Sequence, residues 1–363
     1  VNGQHISGAP KRAAGRRRGT PGLLALLLGA LLLLVSACGG DDSASGGGGD
    51  GKGKAGAGKA GEDTKASAAV VTVAPKDGSG DVATSGALKV SASQGKLTAV
   101  AVADTKGNAV AGKISADGSA WTPDQHLASA TKYKVHAVAK DDEGRESAKD
   151  TTFTTLVPKN TFIGTYAPED GDTVGVGMPV SINFSRGITN PQAVEKAIKV
   201  TAEPSVPVEG HWFGNDRLDF RPEKYWAAGT KVTVKFNLDG VEGRPGVYGK
   251  QTRTVKFTVG RSQVSTVDAS AHTMSVVRDG KVLRTLPISA GAPANTTYNG
   301  QMVISEKYQV TRMNGATVGF GGEYDIKDVP HAMRLSSSGT FLHGNYWGDP
   351  SVFGNTNTSH GCV

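Results

Sequence analysis

Short strand-like segments, each closed by a cluster of Gly, Asn or Asp, follow one another from Val70 almost to the end of the chain. Val70-Val71-Thr72-Val73, Leu88-Lys89-Val90, residues 97–102, residues 133–138 and Thr151-Thr152-Phe153-Thr154-Thr155 alternate at period two or run short and β-branched. Period two turns successive side chains to opposite faces of a sheet, and no window of comparable length in this stretch has helical period with caps. Segments of this kind at this spacing predict a β-sandwich over residues 69–157. The style repeats over 158–260, in Val180-Ser181-Ile182-Asn183-Phe184, Leu218-Asp219-Phe220, residues 232–236 and residues 254–259. Residues 190–198 there suggest a turn or two of helix. Trp212, Phe213, Tyr225 and Trp226 are read as core aromatics before they are read as a glycan-stacking face. The fold class expected is mainly β: two immunoglobulin-like modules, read as spacers, followed by a third β-rich domain from residue 261.

The third block opens on a hairpin signal. Asp279-Gly280 supplies the positive φ angles of a two-residue turn, and apolar residues flank it. Residues 300–304 and 308–313 read as further strands, and the Gly- and acid-rich stretch 319–328 as a loop or lid. Residues 339–343 read as a strand delivering His343, and 345–357 as a loop returning the chain to Ser359-His360-Gly361-Cys362.

The front of the chain carries an address. Residues 1–37 hold five Lys/Arg and no acidic residue, and an apolar run from Gly22 to Val35 follows the basic cluster. Fourteen residues are short of the roughly 20 a spanning helix needs, so the pattern is that of a signal peptide. It ends in Val35-Ser36-Ala37-Cys38-Gly39, similar to a bacterial lipobox, which implies lipidation of Cys38. The expectation is an exported protein, lipid-anchored to the outer face of the cytoplasmic membrane and facing the wall. Residues 38–68, rich in Gly, Ala and Lys, then form a flexible linker. The formal charge is +7, and the leader supplies five of it, so the remainder is close to neutral. No basic stripe or aromatic platform suggests nucleic acid.

Only two cysteines occur, and with Cys38 assigned to the anchor, Cys362 has no disulfide partner. An unpaired thiol in an exported chain is a candidate nucleophile. A neighbouring imidazole raises its reactive fraction, by taking the proton or by ion pairing. Gly361 lets the backbone turn sharply, so that the N–H groups of His360, Gly361 and Cys362 could meet the oxygen of a tetrahedral intermediate; one such donor is worth about 3–4 kcal/mol. Zinc ligation by His343, His360 and Cys362 fits the residue types but lacks a further ligand at metal-site spacing. A buried inert cysteine is the remaining bland reading.

His343, followed after 16 residues by Ser359-His360-Gly361-Cys362, with Asn355-Thr356-Asn357-Thr358 before the motif and the Asp279-Gly280 hairpin upstream, resembles the catalytic domain of the L,D-transpeptidases, the YkuD-type family of bacterial peptidoglycan. The stem of two immunoglobulin-like modules behind a lipobox resembles the family's actinobacterial branch. The resemblance implies Cys362 as nucleophile, His343 as general base and His360 as the motif histidine that shapes the site. Ser359 falls at a supporting position. Gly344 stands where some members carry Ser, leaving its carbonyl to orient the imidazole. Met313 and Tyr324 fall at substrate-groove positions. The implied reaction is a two-step acyl transfer on peptidoglycan stem peptides. The thiolate attacks the carbonyl of the third residue of a donor tetrapeptide, D-alanine leaves, and an acceptor amine resolves the thioester into a 3→3 cross-link. Acylation by carbapenems is also implied, with no metal or cofactor. Hydrolytic resolution of the same thioester, as in an L,D-carboxypeptidase, is a close variant; a non-catalytic wall spacer or binding lipoprotein is the alternative from another class. The family's pattern continues past the cysteine with Asn or Arg, so a longer gene product than residues 1–363 is expected.

Overall fold

The computed structural model describes residues 65–363; the leader, Cys38 and most of the linker lie outside the described residues. The described chain is mainly β. In the first module, one sheet runs in the order Val70–Ala74, Lys89–Ser93, Ala120–Pro123, Gly112–Ile114. The other runs Ser79–Val82, Glu146–Thr155, Lys132–Lys140, Lys96–Asp104. Lys132–Lys140 shows why: Tyr133, Val135, Ala137 and Ala139 point inward on alternate residues, and the lysines point out. Val90, Trp121, Val135 and Phe153 fill the core between the sheets.

The second module repeats the plan. Gly164–Ala167, Val180–Phe184, Arg217–Arg221 and Glu209–Phe213 form one sheet, and Thr173–Val174, Thr252–Val259, Lys231–Asn237 and Ile198–Glu203 the other. Both feed a single cluster around Ile182, Leu218, Val232 and Val255. The expected helical turn is Pro191–Lys196, started by Asn190, whose side chain accepts from the Ala193 N–H, and by Pro191 at the first turn. The aromatic residues divide. Trp226 is buried and Trp212 stacks on Phe184 at the core edge, whereas Phe213 and Tyr225 are exposed and not core.

A polar joint connects the two modules. Thr84 Oγ1 donates to Gly240 O (2.6 Å), Ser129 Oγ to Asp239 Oδ1 (2.6 Å) and Asn237 Nδ2 to Gln125 Oε1 (2.6 Å). Gly240 sits at φ +85°, and a Cβ there would lie 2.3 Å from the Leu127 carbonyl oxygen. Neither the torsion nor the contact admits a side chain. Gly240→Ala is therefore expected to undock the modules. A broadened pair-distance distribution in small-angle scattering, with the strand content of both modules kept, would show it.

The third domain has less core. Gln263–Asp268, Thr273–Arg278 and Lys281–Pro287 form an antiparallel sheet, and Asp279 (φ 48°) and Gly280 (φ 78°) make the expected turn. Glu306–Lys307, Met333–Arg334 and Phe341–Leu342 form a second sheet, and Val310–Asn314 pairs with Asp325–Pro330. Two expectations fail here. Residues 300–304 are not a strand; Val303 instead reaches the neighbourhood of Gly177 in the second module. The loop expected over 319–328 ends early, because Asp325 already begins a strand paired to Val310–Asn314.

Candidate active site

The cysteine-bearing segment is stitched on both sides. On one side, Gly354 N–H donates to Ile288 O (3.0 Å), Ser359 N–H to Ala290 O (3.1 Å) and Ala292 N–H to Ser359 O (2.9 Å). Asn357 ties the same edge: its Oδ1 accepts from Ala290 N–H (2.9 Å) and His272 Nδ1 (3.0 Å), and its Nδ2 donates to Ala269 O (2.8 Å). On the other side, Val363 N–H donates to Phe341 O (2.9 Å) and Val363 O accepts from His343 N–H (3.0 Å). One residue bonded to the two flanking a third is the parallel-ladder pattern, so Val363 lies beside Leu342. Side chains alternate along a ladder, which turns Cys362, Phe341 and His343 to one face. Cys362 accordingly packs on Val329, Ala332 and Phe341, the small core under the site.

Both partners of the pair are pushed toward their uncharged forms. Burial raises the Cys362 thiol, against the pull of a hydrogen bond from the Phe341 backbone. The thiol itself points at Gly339 O, 3.6 Å away. Burial lowers the His343 imidazole, against the raising effect of its bond to Gly344 O. That bond is 2.9 Å from Nδ1. A carbonyl only accepts, so Nδ1 carries the proton and Nε2 is left with a free lone pair. Burial thus favours the uncharged form of each, a thiol and a neutral imidazole. The rate at which Cys362 is acylated should rise with pH through a limb centred below the ordinary imidazole value of about 6.5. It should then stay level to alkaline pH, since the thiol ionises above its usual range. A limb centred above that value in a pH–rate profile would contradict the assignment.

Ser359 closes the turn between them. Its hydroxyl donates to Cys362 O (2.6 Å) and accepts from Gly361 N–H (3.1 Å). Gly361 sits at φ 118°, a conformation reserved for glycine. The Gly361 amide, expected among the oxyanion donors, is therefore engaged by Ser359. Among the described residues, the His360 and Cys362 amides have no acceptor and are the donors left for an oxyanion.

The remaining expected residues separate. His360 faces away from the ladder into the loop before Asp325: its Nε2 lies 2.9 Å from Glu323 Oε2, and its ring meets Phe320 and Tyr324. Tyr324 is raised by burial, and further by the negative charges that Cys362 and Glu323 would carry. Met313 is packed against the core below the site. Gly344 approaches Pro330 closely, donating its N–H to Pro330 O (2.9 Å). Among the described residues no group of three His, Cys, Asp or Glu converges as a metal site. Sequence reasoning missed Trp347, Tyr346, Glu323 and Asn357. Only Asn357, inside the quoted Asn-Thr-Asn-Thr run, carried a local signal.

Residues 262–363 match the family model of the L,D-transpeptidase catalytic domain, and residues 79–242 match that of a bacterial Ig domain. The chain is 34% identical over 298 residues to L,D-transpeptidase 2 of Mycobacterium tuberculosis, covering 81% of this chain and 72% of that protein. It is 33% identical over 302 residues to L,D-transpeptidase 5 of the same species, covering 81% and 65%. Among solved structures, L,D-transpeptidase 3 of M. tuberculosis with a faropenem-derived adduct aligns at 26% identity and a TM-score of 0.45, over 55% of this chain and 86% of that one.

Proposed function

The chain belongs to the L,D-transpeptidases of bacterial peptidoglycan, and from that premise we propose that Cys362 and His343 carry a thioester acyl transfer that forms 3→3 cross-links. The observation that supports this most is the backbone pairing of Val363 with Phe341 and His343, whose alternation sets Cys362 and His343 on one face, with Nδ1 of the imidazole already committed to Gly344 O.

In the first half-reaction, His343 Nε2 takes the thiol proton as sulfur bonds to the carbonyl carbon of the donor's third residue. The oxygen of the tetrahedral intermediate is met by the His360 and Cys362 amides. Collapse breaks the bond to D-alanine, whose amine leaves with the proton held on His343. In the second half-reaction, the side-chain amine of an acceptor stem attacks the thioester. His343 takes its proton, an amide forms and sulfur leaves. Ser359 and Gly361 hold the turn; Tyr324 and His360 border it on the side of the 320–324 loop. Acylation of Cys362 by carbapenems, whose strained lactam carbonyl would meet the same nucleophile, belongs to the same proposal.

The test is direct. The protein is incubated with a carbapenem, and separately with a disaccharide-tetrapeptide, and protein and products are weighed. The expected result is one drug mass mapped to the Cys362 peptide, and a cross-linked dimer with D-alanine released. An unmodified Cys362 and no dimer would refute the proposal. The lipid on Cys38 and an address at the outer face of the cytoplasmic membrane rest on the leader's sequence alone; metabolic labelling with palmitate, lost in Cys38→Ala, tests them.

A further inference from the structure

We propose that Trp347 is a positioning residue for His343, with its indole laid flat on the imidazole and anchored through Tyr346 to Asp328. This rests on the reading of His343 as the base. The two rings are 5.7 Å apart between centroids and within 10° of parallel. The hydrogen bond from Nδ1 to Gly344 O fixes one end of the imidazole but leaves it free to pivot about that axis. A flat partner on one face removes the pivot and holds Nε2 in its direction.

Trp347 is itself placed by local chemistry. Asn345 Oδ1 accepts from the backbone N–H of Trp347 (3.2 Å) and of Gly348 (2.8 Å), an Asx turn that bends the chain back over His343. Tyr346 then meets the indole edge to face, 5.1 Å away at 89°, and its hydroxyl donates to Asp328 Oδ1. That bond raises the phenol, which keeps it protonated as a donor. Trp347 is 40% exposed and Tyr346 62%. Core burial does not explain two large aromatic side chains held this way at the surface.

One strand carries the whole arrangement. In Asp325–Pro330, Asp328 holds the brace on the base, Val329 packs under the nucleophile, and Pro330 O receives the Gly344 N–H. Three consecutive residues thus reference base and nucleophile to the same backbone. The titratable groups tied to the brace are Tyr346 and Asp328. The indole face favours an imidazolium weakly, while exclusion of water disfavours it. Burial is the larger cause acting on His343, and it lowers the imidazole.

The probe is iodoacetamide, a reagent small enough to reach the sulfur without the substrate groove. Alkylation of Cys362 is followed from acid to neutral pH, where its rate reports the proton shared by thiol and imidazole. In Trp347→Leu the limb should move up toward the ordinary imidazole value, and kcat for cross-linking should fall roughly 10- to 100-fold, as for a misdirected general base. Trp347→Phe should restore most of both. Tyr346→Phe should move the limb the same way by less. Circular dichroism checks that each variant is folded. An unmoved limb in Trp347→Leu, with KM alone raised, would overturn the proposal by making Trp347 a substrate wall. A shift in Trp347→Leu with none in Tyr346→Phe would overturn the anchoring to Asp328. His343→Ala separates the two levels: it must abolish the limb, and a limb that persists condemns the base assignment and not the brace.

Discussion

Cys362→Ala should yield a folded protein that takes up no acyl group at all. The change removes only the sulfur, which packs with Val329, Ala332 and Phe341, and it leaves the ladder bonds of Val363 untouched because they are made by backbone. The cost in stability should be about 1 kcal/mol, the ordinary scale for a small truncation. The cost in rate is of another order: losing a nucleophile outright removes on the order of 10⁶-fold from catalysis. Whole-protein mass after exposure to a carbapenem, beside a thermal melt, reads both. A variant that still gains the drug mass would mean that another group is the acceptor.

His343→Ala carries the second-largest effect. The Cys362 thiol sits above its usual ionisation range, so without a base almost none is reactive at neutral pH. The acylation rate should fall by roughly 10²- to 10⁴-fold, the contribution of a positioned general base. The loss should shrink as pH rises, since hydroxide then does the work of the imidazole. The backbone bond from His343 N–H to Val363 O survives the change, so the sulfur keeps its place. Equal rates in variant and parent at neutral pH, measured by stopped-flow with a carbapenem, would remove His343 from the chemistry.

What was legible in the sequence was local. Alternation over residues 133–138 gave the inward row of Tyr133, Val135 and Ala137, and Asp279-Gly280 gave its turn because positive φ angles leave few residue choices. Residues 190–198 read as a turn or two of helix, and the structure has one there, capped by Asn190. Residues 300–304 misled because an apolar run reads as a strand whatever it lies against; here Val303 approaches a neighbouring module. The strand at Asp325–Pro330 was hidden by an acidic, Gly-rich approach, and its partner 15 residues upstream supplies what propensity did not. Cys362 and His343 stood out by type and spacing. Trp347 and Tyr346 did not, because their partners His343 and Asp328 are set by how the chain folds back. The engagement of the Gly361 amide by Ser359 was likewise invisible until the turn had a shape.

The burial of Cys362 also bears on how its sulfur would meet oxidants. Peroxides take electrons from thiolates far faster than from thiols, and the first product, a sulfenic acid, would silence the sulfur. Burial that raises the Cys362 thiol would lower its thiolate fraction and so slow the entry of this sulfur onto that ladder of damage.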